Sequence, residues 1–193
     1  IFMHQKLHRI FLAFPVGFDL QKKFEDQFLH YKNLQSFRWT PSSNLHVTLF
    51  FIGEVEEKNV IVIKENLEKL FSVQMPFQLS FEEYQFKGGK NSPSMFWAKF
   101  QHSEDFRELS EKIFYQVKDF MTIAPQHKDP IPHITLARLK KGAEISTVNI
   151  HSLGKVEVPI IDFAELWQTV SSPEGVKYNS LCKFIFKKQN ENQ

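Results

Sequence analysis

Two stretches carry residue types that could do chemistry at a matched spacing. They are Leu45-His46-Val47-Thr48-Leu49 and Pro132-His133-Ile134-Thr135-Leu136. Each places a His-x-Thr triplet inside an apolar run of strand length. Side chains on a strand alternate faces. His46 and Thr48 should therefore share one face, with Val47 and Leu49 on the other. The same holds for His133 and Thr135 against Ile134 and Leu136. Two such strands side by side would offer two imidazoles that titrate near ~6.5 and two hydroxyls. One neutral imidazole can take a proton while one protonated imidazole gives one. Hydroxyl and backbone donors can hold oxygens on which charge builds. That combination suits a phosphate diester.

A zinc site is disfavoured. Neither triplet has a Cys or an acidic residue at ligand spacing, and the chain has no His-Glu-x-x-His. No cofactor or metal is expected. Gly88-Gly89-Lys90-Asn91-Ser92-Pro93 lacks the Gly-Lys-Ser/Thr order of a phosphate loop and reads as a hairpin connection. His4, His8, His30, His102, His127 and His151 are expected to be surface or packing residues. Trp39, Trp97, Trp167 and Tyr178 could stack on a base, although such rings more often fill a core.

The elements that must position the triplets are legible in outline. The 193 residues include 21 Phe, with 42% hydrophobic and 24% charged residues, a globular balance in which most rings must be core. Burying one ring contributes roughly 1.5–3 kcal/mol. Leu7 to Phe14 reads as a buried strand ended by Pro15 and Gly17. Asp19 to Leu34 reads as a helix, with Leu20, Phe24, Phe28 and Tyr31 at helical spacing. Phe37-Arg38-Trp39 is a short extended piece. Leu45 to Ile52 is the first motif strand, closed by Gly53.

Glu54 to Phe71 is a second helix and Phe77 to Lys87 a strand. Met95 to Phe100 is the next strand. Ser103 caps a third helix to about Phe120, with Glu104 and Asp105 in its first turn. Prolines at 125, 130 and 132 stiffen the approach to the second motif strand. Lys140 to Leu153 could hold a short helix. Val156 to Val158, Asp162 to Val170 and Tyr178 to Phe186 read as strands, the last two joined by a turn at Ser172-Pro173-Glu174-Gly175. The two motif histidines lie 87 positions apart, and each motif strand follows a helix and a loop. This hints at duplication. The fold class is therefore α+β: two pseudo-symmetric lobes with antiparallel-rich sheets lining a central cleft and helices packed outside. One bilobed domain spans 1–193, with a core at about 9–186 and a flexible tail at 187–193.

The formal charge is only +2 and the pI is near 8.6. Bulk charge does not drive nucleic-acid binding here, but Arg138, Lys140 and Lys141 could form a local basic patch. The single Cys182 excludes an intrachain disulfide and fits a reducing, cytoplasmic compartment. No run approaches the ~20 apolar residues of a membrane span. The basic start before Ile10 to Phe18 reads as a first strand rather than a signal peptide. A natural start at Met3 is expected, with Ile1 and Phe2 as added residues.

Arg9-Ile10-Phe11-Leu12-Ala13-Phe14-Pro15, Phe37-Arg38-Trp39, Asn44 to Gly53, Phe96-Trp97-Ala98, Pro132 to Arg138 and the closing hairpin resemble the two-histidine (2H) phosphoesterase superfamily. Within it the chain is most similar to the RNA 2′,3′-cyclic phosphodiesterases, also called 2′-5′ RNA ligases. The resemblance implies catalytic positions at His46 and His133 and phosphate-binding ones at Thr48 and Thr135. It implies that His46 is the acid for the O3′ leaving group, that His133 is the base and that the product is a 2′-phosphate. The substrates would be RNA ends or small cyclic nucleotides, handled by a monomer away from any membrane.

Arg138 matches the Arg after the family's second motif and lies five residues past His133, as Phe51 lies five past His46. Strict alternation would put both on the wrong face, so each needs a bend nearby to flank the base or sugar. Two alternatives stand beside this reading: hydrolysis or joining of 2′-5′ linkages, and an RNA-end binding module without catalysis.

Overall fold

The computed structural model describes residues 6–89, 92–123, 129–158, 160–173 and 175–187. Eight strands form one antiparallel sheet: β1 (Leu7–Pro15), β2 (Phe37–Trp39), β3 (His46–Glu56), β4 (Phe81–Gly89), β5 (Ser92–Phe100), β6 (His133–Leu139), β7 (Phe163–Ser172) and β8 (Gly175–Ile185). The strand order is β4-β5-β6-β3-β1-β7-β8, and β2 pairs with the other side of β6. The helices are α1 (Phe18–Phe28), α2 (Glu57–Phe71) and α3 (Glu104–Val117).

The sheet is continuous and has two halves. One half is β3, β1, β7 and β8; the other is β4, β5, β6 and β2. They meet where Val47 of β3 pairs with Ile134 of β6. All three helices send their apolar stripes into one core: Leu20, Phe24 and Phe28 from α1, Ile63, Leu67 and Phe71 from α2, and Phe106, Leu109, Ile113 and Val117 from α3. Alternate strand residues such as Ile10, Leu12, Phe96 and Phe184 meet them there. A second, smaller cluster of Phe11, Ala13 and Trp167, with Tyr178 against it, lies apart from that core. Phe11 and Ala13 alternate with Ile10, Leu12 and Phe14, so this cluster belongs to the face that bears no helix.

Several boundaries differ from the sequence reading. Gly53 does not close β3. It takes a φ of +99° inside the strand, which runs on to Glu56 before α2 begins. A glycine there absorbs the left-handed conformation of a bulge. α1 stops at Phe28, and Leu29–Tyr31 tighten into a 3-10 turn. β4 begins at Phe81; Phe77 makes only an isolated bridge to Ile161. Lys140 to Leu153 holds two 3-10 turns, Ile145–Thr147 and Ile150–Ser152, instead of a helix. Val156–Val158 is not a strand. The Ser103 cap forms as expected, its hydroxyl accepting from the Phe106 N–H at 3.3 Å. The glycine pair does sit on a hairpin, Gly88 facing Pro93 and Gly89 facing Ser92. Residues 90 and 91, most of the proline loop (124–128), Glu174, and His4, His127 and the tail 188–193 lie outside the described residues.

Candidate active site

β3 alternates as the motif demands. Val47 and Leu49 are buried in the core, while His46 and Thr48 are only half-buried. β6 repeats the pattern with Ile134 and Leu136 against His133 and Thr135. Then both strands break phase at the same place. The β1–β3 register slips so that Ala13 faces Thr48 but Leu12 faces Phe50, leaving Leu49 as an extra residue. The β5–β6 register slips so that Trp97 faces Thr135 but Phe96 faces Ala137, leaving Leu136 extra. Each bulge directly follows its Thr-bearing position and puts two apolar residues in succession into the core. Phe51 and Arg138 emerge exposed as a result. The bends that these two positions required are thus present in both motifs.

The two imidazoles are oriented alike. His46 Nδ1 lies 2.7 Å from the Asn44 carbonyl oxygen, and His133 Nδ1 lies 2.8 Å from that of Ile131. A carbonyl only accepts, so each Nδ1 carries the hydrogen, and each Nε2 is the basic nitrogen of the neutral ring. His46 Nε2 is 3.0 Å from the Thr48 hydroxyl, which donates to it. Asn44 is itself buried and anchored, its amide donating to the Val176 carbonyl at 2.7 Å. The Thr40 hydroxyl donates to the Thr135 carbonyl at 2.8 Å and steadies the second motif.

The surroundings of the two rings differ. His46 sits among Phe11, Trp167 and Tyr178, with ring centroids at 5.2, 5.1 and 5.2 Å. Burial holds its pKa down at about 4; the Asn44 hydrogen bond opposes the shift and His133 adds to it. The contribution from His133 places the second ring within electrostatic reach of the first. His133 stacks on Trp97 with centroids 3.7 Å apart and planes 20° apart. Its pKa is also lowered, chiefly by burial and further by the Lys87 ammonium. Lys87 in turn sits 5.7 Å from the Trp97 ring.

Of the four rings that sequence offered as stacking platforms, three are here, each pressed against a histidine. Trp39 instead stacks in the core on Phe28 and Phe37. His8 is buried away from the site, and His30, His102 and His151 are exposed. Sequence reasoning missed Phe11, Asn44, Lys87 and Arg9, whose guanidinium lies 5.1 Å over the exposed Phe51 ring. β1 reads as wholly apolar from Ile10 to Phe14, so nothing separated Phe11 on the site face from its core neighbours. Cys182 is a free, half-buried thiol on β8. Among the described residues no group of three or more His, Cys, Asp or Glu could hold a metal ion. No helix there is long and apolar enough to cross a membrane.

Comparisons with known proteins bear on the fold and the family. Residues 20–97 match the LigT like Phosphoesterase family model. An Archaeoglobus fulgidus protein named RNA 2′,3′-cyclic phosphodiesterase is 27% identical over 181 residues, covering 91% of this chain and 99% of that protein. A crystal structure of a Thermus thermophilus protein superposes with a TM-score of 0.78 at 22% identity, over 94% of this chain and 100% of that one. Escherichia coli LigT, crystallised with NADP+, superposes at 0.76 with 19% identity over 95% of this chain and 100% of its own. These two share the fold. The chain is thus similar to the LigT like Phosphoesterase model across its first histidine motif, and to the Archaeoglobus fulgidus protein along nearly its whole length.

Proposed function

We propose that this protein hydrolyses RNA or nucleotide 2′,3′-cyclic phosphate ends to 2′-phosphates by metal-independent two-histidine catalysis. The observation that carries the proposal is the matched pair of Nδ1–carbonyl hydrogen bonds, which leave two Nε2 atoms for proton transfer. Relatives with that named activity, such as the one from Archaeoglobus fulgidus, support it.

In the proposed reaction His133 Nε2 takes a proton from water as the water oxygen bonds to phosphorus. The P–O3′ bond breaks, and His46 Nε2–H delivers its proton to O3′. The two rings then exchange protons with solvent. His46 is held neutral in the free protein, so its proton arrives with the substrate: a phosphate anion against Nε2 raises the imidazole pKa. The Thr48 hydroxyl, released from Nε2 at that moment, can donate to a non-bridging oxygen, as can Thr135. Arg138 and Phe51 flank the nucleotide. The protein would act as a monomer in the cytoplasm, needing no cofactor.

The test is turnover of a nucleoside 2′,3′-cyclic phosphate by purified protein after exhaustive chelation, followed by phosphorus NMR. Hydrolysis should persist. Loss on chelation with recovery on adding back one metal would replace the proposal with metal-assisted hydrolysis.

A further inference from the structure

The bulge at Leu136 has a second effect beyond turning Arg138 outward. It aligns Arg138 with residues on three neighbouring strands. Arg138 pairs with Met95 on β5 and with Arg38 on β2, and Met95 pairs with Lys87 on β4. Lys87, Met95, Arg138 and Arg38 therefore form one transverse row across four strands. Residues that pair directly across an antiparallel ladder point to the same face.

That face is the one with the histidines. Phe37 and Trp39, on either side of Arg38, turn into the helix-covered core, as do Phe86, Phe96 and Ala137 beside the other members. Lys87 lies against Trp97, which carries His133. At a strand spacing of ~4.8 Å the row is about 14 Å long, and it crosses β6 roughly 7–10 Å along the strand from Thr135. Lys87, Arg38 and Arg138 are exposed, and none forms an ion pair among the described residues. Lys99, by contrast, is neutralised by Glu82 and Glu83 at 2.8 and 3.7 Å. Lys140 and Lys141, both exposed, continue the positive charge just past the end of β6.

Among the described residues the matching place in the other half of the sheet holds rings. Phe51, the counterpart of Arg138, pairs with Phe11, which pairs with Trp167. Both histidines thus have rings beside them, but at the matching place farther along the strand one half presents the Phe51 and Phe11 rings and the other the cation row. Rings suit a base and cations suit a chain of phosphates.

We propose that the row Lys87, Arg138 and Arg38 is a track for the phosphates of single-stranded RNA lying 5′ of the reacting nucleotide. The substrate is then an oligonucleotide end in preference to a mononucleotide. This rests on the proposed cyclic phosphodiesterase activity and deepens it.

The experiment compares a mononucleoside 2′,3′-cyclic phosphate with a tetranucleotide ending in the same group. Neutralising three single-strand phosphates gives a slope of about −2 in log affinity against log salt. The tetranucleotide should therefore have the higher kcat/KM at low salt and lose about 20-fold between 50 and 200 mM salt, while the mononucleoside changes much less. Arg38→Gln should flatten the tetranucleotide's slope by about 0.7, and Arg38→Glu should weaken it further. Both variants should turn over the mononucleoside as the unaltered protein does. Equal kcat/KM for the two substrates at low salt, or Arg38 variants that leave the tetranucleotide's salt slope unchanged, would overturn the track. Failure of the unaltered protein to hydrolyse either substrate would instead remove the activity itself, which keeps the two conclusions separate.

Discussion

Val47 pairs with Ile134 at the seam between the two halves of the sheet, and each is the middle residue of a His-x-Thr triplet. The strands are antiparallel, so the register about this pair sets His46 across from Thr135 and Thr48 across from His133. The histidines stand at opposite corners of a four-residue figure, about 5 Å wide and about 7 Å long at the backbone. An in-line displacement needs that arrangement. The entering and leaving oxygens lie on opposite sides of phosphorus, so the groups that serve them must as well. Val47 and Ile134 themselves point into the core, where both are buried. The joint that aligns the site is thus anchored by packing.

Removing either histidine should abolish most of the activity. General acid–base groups contribute typically ~10²–10⁴-fold each. His46→Ala and His133→Ala should each lower kcat by that order, and the double variant should fall by much less than the product, because the two groups act on one step. Circular dichroism checks that the variants fold. Near-normal turnover in either folded variant would remove the mechanism. Thr48→Ala and Thr135→Ala should be milder.

The depressed pKa of His46 predicts a pH dependence of stability. Its value is about 4 in the folded protein and ~6.5 when unfolded. Above ~6.5 the ring is neutral in both states and the full stability is present. As pH falls from ~6.5 towards 4 the unfolded chain binds the proton first, and stability is lost. The difference corresponds to about 3 kcal/mol. Urea unfolding of the protein and of His46→Asn at pH 7 and pH 4 measures it. The native protein should lose more stability than the variant by that order; parallel losses would mean that His46 is not desolvated. In kinetics, the free enzyme holds a single proton on the pair only below the ordinary histidine range. The kcat/KM optimum should therefore lie on the acid side of ~6.5, and the kcat optimum, set in the anion complex, should lie higher.

Much of this was legible in the sequence, and the remainder failed for one reason. The triplets, their shared faces and the Ser103 cap follow from period-2 and period-3.6 patterning. Phase does not. In Thr48-Leu49-Phe50-Phe51 and Thr135-Leu136-Ala137-Arg138 the bulge is written in apolar residues that would suit a regular strand equally well. Only pairing with β1 and β5 reveals the slip, so patterning could demand a bend before Phe51 and Arg138 without locating it. Gly53 misled similarly. A glycine after an apolar run marks a strand end or a bulge, and here the ladder to Ile10 continues through it. The row through Arg38 was beyond reach because it depends on several registers at once.

Trp97 should act as a positioning residue for His133. It covers one face of the imidazole, and its own Nε1 is buried without a hydrogen-bond partner among the described residues. Trp97→Phe keeps a flat platform and should retain most activity. Trp97→Ala opens His133 to water, which removes the main cause of its lowered pKa. The kcat/KM profile should then move to higher pH as kcat falls through lost orientation. An unchanged profile would show that the indole only fills space.

The last prediction concerns which bond breaks. A nucleoside 2′,3′-cyclic phosphate can open to a 2′- or a 3′-phosphate, and the two products have equal mass. The Nδ1 bonds to Asn44 and Ile131 fix both rings to backbone, so the histidines cannot exchange places. Water must enter opposite the bond that breaks, and the oxygen nearest the acidic imidazole leaves. Phe11, Trp167 and Tyr178 around His46 and Trp97 with Lys87 beside His133 make the two sides of the site unlike, which gives the nucleotide one preferred direction across it. One product should therefore dominate from the first turnover, and with His46 beside O3′ it is the 2′-phosphate. Phosphorus NMR or chromatography against both authentic isomers at early times decides it. An equal mixture would mean that the sheet does not hold the ribose in one pose. A clean 3′-phosphate would keep the two-histidine chemistry and reverse the roles, making the deeply desolvated His46 the base, for which its low pKa would be the natural preparation.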